Sequence, residues 1–316
     1  AYCRAGYFAQ CDNANPNGPR AGTAYFGGPK ESGPFNGLQA EFARIPFASV
    51  GLVKLPNEVT DEQAVLLSDI FPTGYFGAKM AHVVGGRTVA VFGCGPVGQF
   101  AIISALMLGA GRVFAVDNIQ SRLQMAQQMG AEIIDFDQQD PVEAIRDLTG
   151  GIGIDRAIDA VGVDATAPHH GPAVQKLEPL HQLFELERLQ VAPQMNPQDG
   201  NWHPGDAPSL ALRWAVDALA KAGTLSIIGL YPPSVQQFPI GLAMNKNLAI
   251  NMGNCHHRRY IPHLLELVRS RQVDPSVVLT EEVPIGNVIE AYKHFDKREP
   301  GWVKVALKPV ADNGAR

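Results

Sequence analysis

The chain has 316 residues, 46% of them apolar and 18% charged, which supplies a packed core and excludes a disordered protein. Its formal net charge of −5, from 26 basic and 31 acidic side chains without a block of like charge, argues against nucleic acid or an anionic membrane as the main partner. Four cysteines are too few for a disulfide scaffold, so a reducing cytosol is the expected setting, and the length predicts two domains.

The sequence opens on Ala1 with no charged and apolar leader behind it, and reads as a fragment or processed product without a signal peptide. Residues 1–60 are rich in Gly, Pro and Asn, with short strand-like pieces at 41–45 and 51–55, the texture of an irregular β region. From Thr88 a regular alternation begins. Strands are expected at 88–92, 112–117, 132–136 and 154–161, with helices at 97–108 and 121–129 and a further helix started by Asp140-Pro141. Strand and helix alternating at this spacing mean right-handed βαβ units and a parallel sheet buried on both faces. The run from Ala90 to Gly111, apolar apart from Gln99 and Ser104, is long enough to span a membrane. Gly93, Gly95, Pro96 and Gly98 would break such a helix, so strand, turn and buried helix are expected instead. Residues 163–207 lose this periodicity and read as a long excursion, with 175–189 helical. A helix at 209–222, strands at 224–230 and 247–252, helices after Arg259 and at 288–296, and a closing strand at 302–307 complete the chain.

The strongest chemical signal is Gly93-Cys94-Gly95-Pro96-Val97-Gly98, which follows a strand, opens a helix and lies upstream of Asp117 at the end of the next strand. Gly93 permits the tight turn, Gly95 lets a pyrophosphate approach the backbone, and Gly98 allows close helix–strand packing. The helix N-terminus offers unpaired N–H groups and the positive end of its dipole to phosphates. Asp117 would accept hydrogen bonds from the adenosine ribose and repel a 2′-phosphate, favouring NAD over NADP; the plainer alternative is a strand–helix turn with Asp117 a surface carboxylate. In Leu67-Ser68-Asp69-Ile70-Phe71-Pro72-Thr73-Gly74-Tyr75, residue chemistry favours Asp69 as a helix cap. Cys3 and Cys11 alone read as two free thiols, since a zinc site wants four N/S ligands. Adjacent residues rarely all face one ion, so neither Cys255-His256-His257 nor His169-His170 is expected to hold a metal.

On these motifs, with Asp159-Ala160-Val161-Gly162, Gly229-Leu230-Tyr231 and Lys304-Val305-Ala306-Leu307-Lys308-Pro309, the chain resembles the zinc-dependent medium-chain alcohol dehydrogenases along essentially its whole length. The Leu-Ser-Asp segment is similar to the branch containing glutathione-independent formaldehyde dehydrogenase. The resemblance implies a Rossmann doubly wound parallel sheet with an incomplete GroES-like catalytic domain, divided as 1–70, 71–254 (NAD-binding) and 255–316. It implies NAD and Zn2+ as cofactors and hydride transfer to or from a small, formaldehyde-like alcohol or aldehyde hydrate. It also implies a homo-oligomer associating through an edge strand of the nucleotide domain. By the resemblance Asp69 becomes a catalytic-zinc ligand and Thr73 lies near the nicotinamide. Pro96 and Val97 meet the pyrophosphate, and Asp117 and Arg122 hold the adenosine end. Val161, Ile228 and Gly229 line the cofactor cleft, Gly253 and Asn254 lie near the nicotinamide, and Lys304 reaches the pyrophosphate. Cys3 and Cys11 match two of four structural-zinc cysteines. The family's other catalytic-zinc ligands lie upstream of Ala1. Phe76 replaces a frequent histidine, and 163–207 fits the family poorly and would shape the substrate pocket. A zinc-free reductase of the same fold and an inactive NAD-binding or subunit-association protein are the alternatives.

Overall fold

A computed structural model describes residues 1–18, 20–192 and 203–309. The chain divides into two units, Ala1–Thr73 together with the stretch from Asn254 onward, and Gly74–Gly253. In the first unit the short helix α1 (Ala48–Gly51) is followed by α2 (Asp61–Leu67). A reciprocal capping box starts α2: Gln63 N donates to Thr60 Oγ1 at 3.3 Å and Thr60 N donates to Gln63 Oε1 at 3.2 Å. Helix α3 (Ile70–Met80) then carries the chain into the second unit, with Asp69 just ahead of its first turn.

The second unit alternates strand and helix: β1 (Thr88–Phe92), α4 (Pro96–Met107), β2 (Arg112–Asp117), α5 (Gln120–Gln128), β3 (Glu132–Asp135), α6 (Pro141–Leu148) and β4 (Ile154–Asp159). The excursion holds α7 (Pro172–Leu177) and α8 (His181–Val191), and after it come α9 (Leu210–Ala218), β5 (Leu219–Ile227), α10 (Ile240–Asn245) and β6 (Ala249–Met252). The six strands are all parallel in the order β3-β2-β1-β4-β5-β6, the doubly wound arrangement whose order reverses between β1 and β4. Alternate residues of one strand feed different cores. Ala90 and Phe92 join Phe114, Val116 and Trp214, whereas Val89 and Val91 join Val113, Ala115 and Ile102. That is why these strands read as unbroken apolar runs. The Ala90–Gly111 run is β1, the glycine turn and α4, and among the described residues no helix is long and apolar enough to cross a membrane.

The remaining first-unit elements are α11 (His257–Arg269), α12 (Val288–Asp296) and a two-stranded parallel ribbon of β7 (Glu281–Pro284) and β8 (Val305–Lys308).

Three expectations need correction. The pieces at 41–45 and 51–55 form no strand; the region carries 3-10 turns and α1, and Phe42 is 90% exposed, so no sheet face exists there to bury it. The expected helix through Ala222 stops at Ala218. Lys246 Nζ donates to the carbonyls of Val216, Asp217 and Leu219 at 2.8–2.9 Å, occupying acceptors near the C-terminus of α9, and the chain turns extended into β5. The 163–207 excursion contains two helices, interrupted by a 3-10 turn at Glu178–Leu180 where Pro179 lacks the N–H an α-helix needs; its residues 193–202 lie outside the described set.

Candidate functional site

The turn between β1 and α4 lies at the point where the strand order reverses, and its glycines differ in what surrounds them. Gly93 sits at φ +88°, where its N–H donates to Val116 O at 2.8 Å. A Cβ on Gly98 would land on the Gly93 carbonyl, so α4 packs against the turn only because that atom is absent. Gly95 is different: a Cβ there would meet nothing closer than Arg122 Nη1 at 3.7 Å. Gly95 caps α4 with no side-chain bond, and Pro96 holds the first turn, which leaves the N–H groups of Val97 and Gly98 directed out of the helix end. An open backbone, a helix N-terminus and a guanidinium therefore share one place.

Asp117 braces this turn. Its Oδ2 accepts from Cys94 N at 2.6 Å, and its Oδ1 accepts from Asn118 N at 2.8 Å and Ile119 N at 3.0 Å. The carboxylate is 6% exposed, not a surface group. Gln99, polar within an apolar run, donates from Nε2 to both Cys94 O and Arg122 O at 2.8 Å, tying the turn to the start of α5. Of the other expected cofactor residues, Val161 follows β4, and Ile228 and Gly229 follow β5. Asp159 O accepts from both Ile228 N (3.0 Å) and Gly229 N (2.9 Å), so these strand ends meet. Gly253, at φ +152°, donates to Ile227 O at 3.4 Å.

A second constellation lies within the first unit. Asp69 Oδ1 accepts from Thr73 Oγ1 at 2.9 Å and lies 2.8 Å from His257 Nε2, which is itself 3.3 Å from Thr73 Oγ1. The hydrogen bond from His257 holds the Asp69 carboxyl below its ordinary range. Burial lowers the Lys304 ammonium pKa while the Asp69 charge opposes that shift, so this lysine shares the same neighbourhood. Cys255 is buried, and its thiol is pushed up to about 12, chiefly by burial. Asn254 Nδ2 donates to Thr23 Oγ1 at 2.8 Å. Cys3 and Cys11 lie close enough for a thiol–thiol hydrogen bond, and burial, then the charge of Cys11, raises the Cys3 pKa.

Sequence reasoning set His257 aside with its two neighbours, yet it is the residue that reaches Asp69. It assigned no role to Gln99, although a glutamine inside the apolar run was a visible signal.

The structural comparison fits this sheet: an alcohol dehydrogenase from Thermus sp. ATN1 superposes with a TM-score of 0.76 at 27% identity, covering 98% of this chain and 75% of that one. Residues 96–170 match the family described as zinc-binding dehydrogenase. The zinc-type alcohol dehydrogenase-like protein AdhB of Bacillus subtilis, itself named as uncharacterized, is 34% identical over 312 residues, 98% of this chain and 75% of its own length. This chain belongs to the zinc-type alcohol dehydrogenases. Another relative, the glutathione-independent formaldehyde dehydrogenase of Pseudomonas aeruginosa, is 32% identical over 306 residues, 94% of this chain and 71% of its own. The chain thus spans about three quarters of the length of these relatives.

Zinc-type alcohol dehydrogenases imply a metal and NAD, and the two fit the described residues unequally. A catalytic zinc wants about three protein donors and an open position. Among the described residues no group of three or more His, Cys, Asp or Glu side chains converges on one point, and Asp69 Oδ1 is already shared by His257 and Thr73. These described residues do not by themselves complete a zinc site. A dinucleotide phosphate does fit the zinc-type dehydrogenase turn, because the space a Cβ would fill at Gly95 is open and faces Arg122.

Proposed function

We propose that the chain is an NAD-dependent dehydrogenase acting on a small alcohol or aldehyde hydrate, and that Gly74–Gly253 is its nucleotide-binding part. The observation that carries this reading is the uncapped N-terminus of α4 at Gly95, open to solvent beneath the Arg122 guanidinium and placed where the strand order reverses. When bound, the nicotinamide supplies the hydride acceptor or donor. Val97 N and Gly98 N would hold the pyrophosphate, with Pro96 keeping the helix start rigid. Asp117 and Arg122 would hold the adenosine end, and Val161, Ile228, Gly229, Gly253 and Asn254 would bound the nicotinamide half. In the first unit, Asp69 would fix the Thr73 hydroxyl through Oδ1 and contribute one donor toward a metal, with Lys304 contributing positive charge; Cys3 and Cys11 would contribute two thiolates toward a second.

A formaldehyde-like substrate is supported by the name of the Pseudomonas relative. A homo-oligomer is supported by β6, which closes one edge of the sheet with Met252 exposed. A cytosolic setting is supported by the four cysteines, all free.

Titration of the 316-residue chain with NAD and NADP, followed by protein fluorescence, tests the reading. Saturable binding of NAD at least tenfold tighter than NADP is expected, and no binding of either overturns it. A second reading, an NAD-binding protein without turnover, is favoured by the lack of a three-donor metal group among the described residues. It predicts the same titration with no NADH formed from a panel of small alcohols and formaldehyde in the presence of zinc.

A further inference from the structure

Asp159, the last residue of β4, is fully buried and organises two turns at once. Its Oδ1 accepts from Val161 N at 2.9 Å and Gly162 N at 3.1 Å, while its backbone oxygen holds the amides of Ile228 and Gly229. Its Oδ2 accepts from the Tyr231 hydroxyl at 2.7 Å. Of these donors Tyr231 alone is a side chain, and it reaches back from the segment beyond β5. The two turns are pressed together: Val163 N donates to Leu230 O at 3.0 Å, a Cβ on Gly162 would collide with the Leu230 backbone, and one on Gly229 would collide with Gly162 N. To these backbone ties the Tyr231 hydroxyl adds a side-chain tie, fixing Asp159 Oδ2 while Oδ1 holds the turn after β4. Tyr231 packs partly buried against the core that contains Ile227 and Phe92, so its ring has little freedom to leave.

In a doubly wound sheet the pyrophosphate lies over the turn after β1. The adenosine half lies on the β2 side, where Asp117 stands, and the other half lies toward β4 and β5. The paired turns 161–163 and 228–230 are therefore the wall on the nicotinamide side. We propose that Tyr231 is a positioning residue for the nicotinamide half of the bound dinucleotide, acting through Asp159 Oδ2 to hold those two turns in one arrangement. The proposal rests on the NAD reading above and extends it to a residue pair that does not itself line the wall.

The test uses the full chain carrying Tyr231→Phe, which keeps ring and volume and removes only the hydroxyl. NAD and 5′-AMP are titrated separately, the second probing the adenosine half alone. The expected result is NAD binding weakened on the order of tenfold, the cost of ordering a nicotinamide wall that is no longer pre-arranged, with 5′-AMP binding unchanged within about twofold. Asp159→Asn, nearly isosteric, is the second variant and is expected to shift the same ratio in the same direction. If both variants bind NAD as the wild type does, or lose NAD and 5′-AMP in equal measure, the positioning role is wrong and Tyr231 only stabilises the unit. If the wild type binds 5′-AMP and NAD equally well, no nicotinamide wall exists and the proposal also falls. Failure of the wild type to bind either would instead overturn the NAD reading itself.

Discussion

His257 Nε2 and Asp69 Oδ1 lie 2.8 Å apart although 188 positions separate them in the chain. Helix α11 starts at His257 and α3 starts just after Asp69, so this contact joins two helix starts within the first unit. The Asp69 side chain is 68% exposed, which limits what the pair contributes to stability. His257→Ala is expected to cost less than about 1 kcal/mol in thermal melts at neutral pH. Because His257 depresses the Asp69 pKa, the contribution is present above the unfolded-state value of about 3.9 and is lost as pH falls through the folded value. The melting difference between wild type and His257→Ala should therefore shrink as the pH falls below the unfolded value and vanish once Asp69 is protonated in the folded protein. A difference that grows there would contradict the assignment.

The glycine turn separates fold from ligand. Gly98→Ala forces a methyl onto the Gly93 carbonyl and is expected to destabilise the second unit by about 1–3 kcal/mol, the range of an overpacked core site. Gly95→Ala places its methyl in open space and should melt within a few degrees of wild type, while weakening NAD binding tenfold or more. Paired melts and titrations of the two variants check this; equal loss of stability in both would refute the division.

Asp117 has a structural part beside its expected ribose contact. Asp117→Ala removes the acceptor of the Cys94, Asn118 and Ile119 amides, so a stability loss of about 1–3 kcal/mol should accompany reduced discrimination against NADP. Denaturant melts without ligand report the first effect and competitive titrations the second. An unchanged NAD/NADP preference would remove Asp117 from the ribose.

Asp140 caps α6, accepting from Val142 N at 2.9 Å and Glu143 N at 3.0 Å, with Lys176 Nζ 3.0 Å from its other oxygen. Asp140→Ala is expected to cost about 1–2 kcal/mol in a urea melt, against a few tenths for Asp140→Asn.

Burial pushes the Cys94 thiol well up and the Cys255 thiol to about 12. Neither should be alkylated by iodoacetamide at pH 8 in the native protein, and both should react once guanidinium unfolds it. Peptide mass spectrometry reads this directly; labelling of Cys255 without unfolding would show that its surroundings open.

The sheet was legible because its strands bury both faces. Thr88–Phe92 and Arg112–Asp117 appear as apolar runs closed by glycine or aspartate, and the structure keeps those bounds. Asp140-Pro141 marked its helix start by cap chemistry alone. The end of α9 was not legible, since Leu219-Ala220-Lys221-Ala222 has good helix-forming residues and the stop is imposed by Lys246 from a later segment. The contact of His257 with Asp69 was equally out of reach, because local spacing carries no trace of a pairing between helices so far apart in sequence. The pieces near 41–55 misled because alternation indicates a strand only where a partner ladder and a buried face exist.

The β1–β4 pairing, Val89 with Arg156 through Phe92 with Asp159, closes a loop that already contains α4, β2, α5, β3 and α6. A growing polypeptide emerging from the ribosome therefore displays its glycine turn well before the strand that walls it has been synthesised. Local hairpin-like contacts cannot substitute for that closure, whose entropy must be met before the crevice exists. The crevice beside the glycine turn therefore exists only once β4 has been made and has paired with β1.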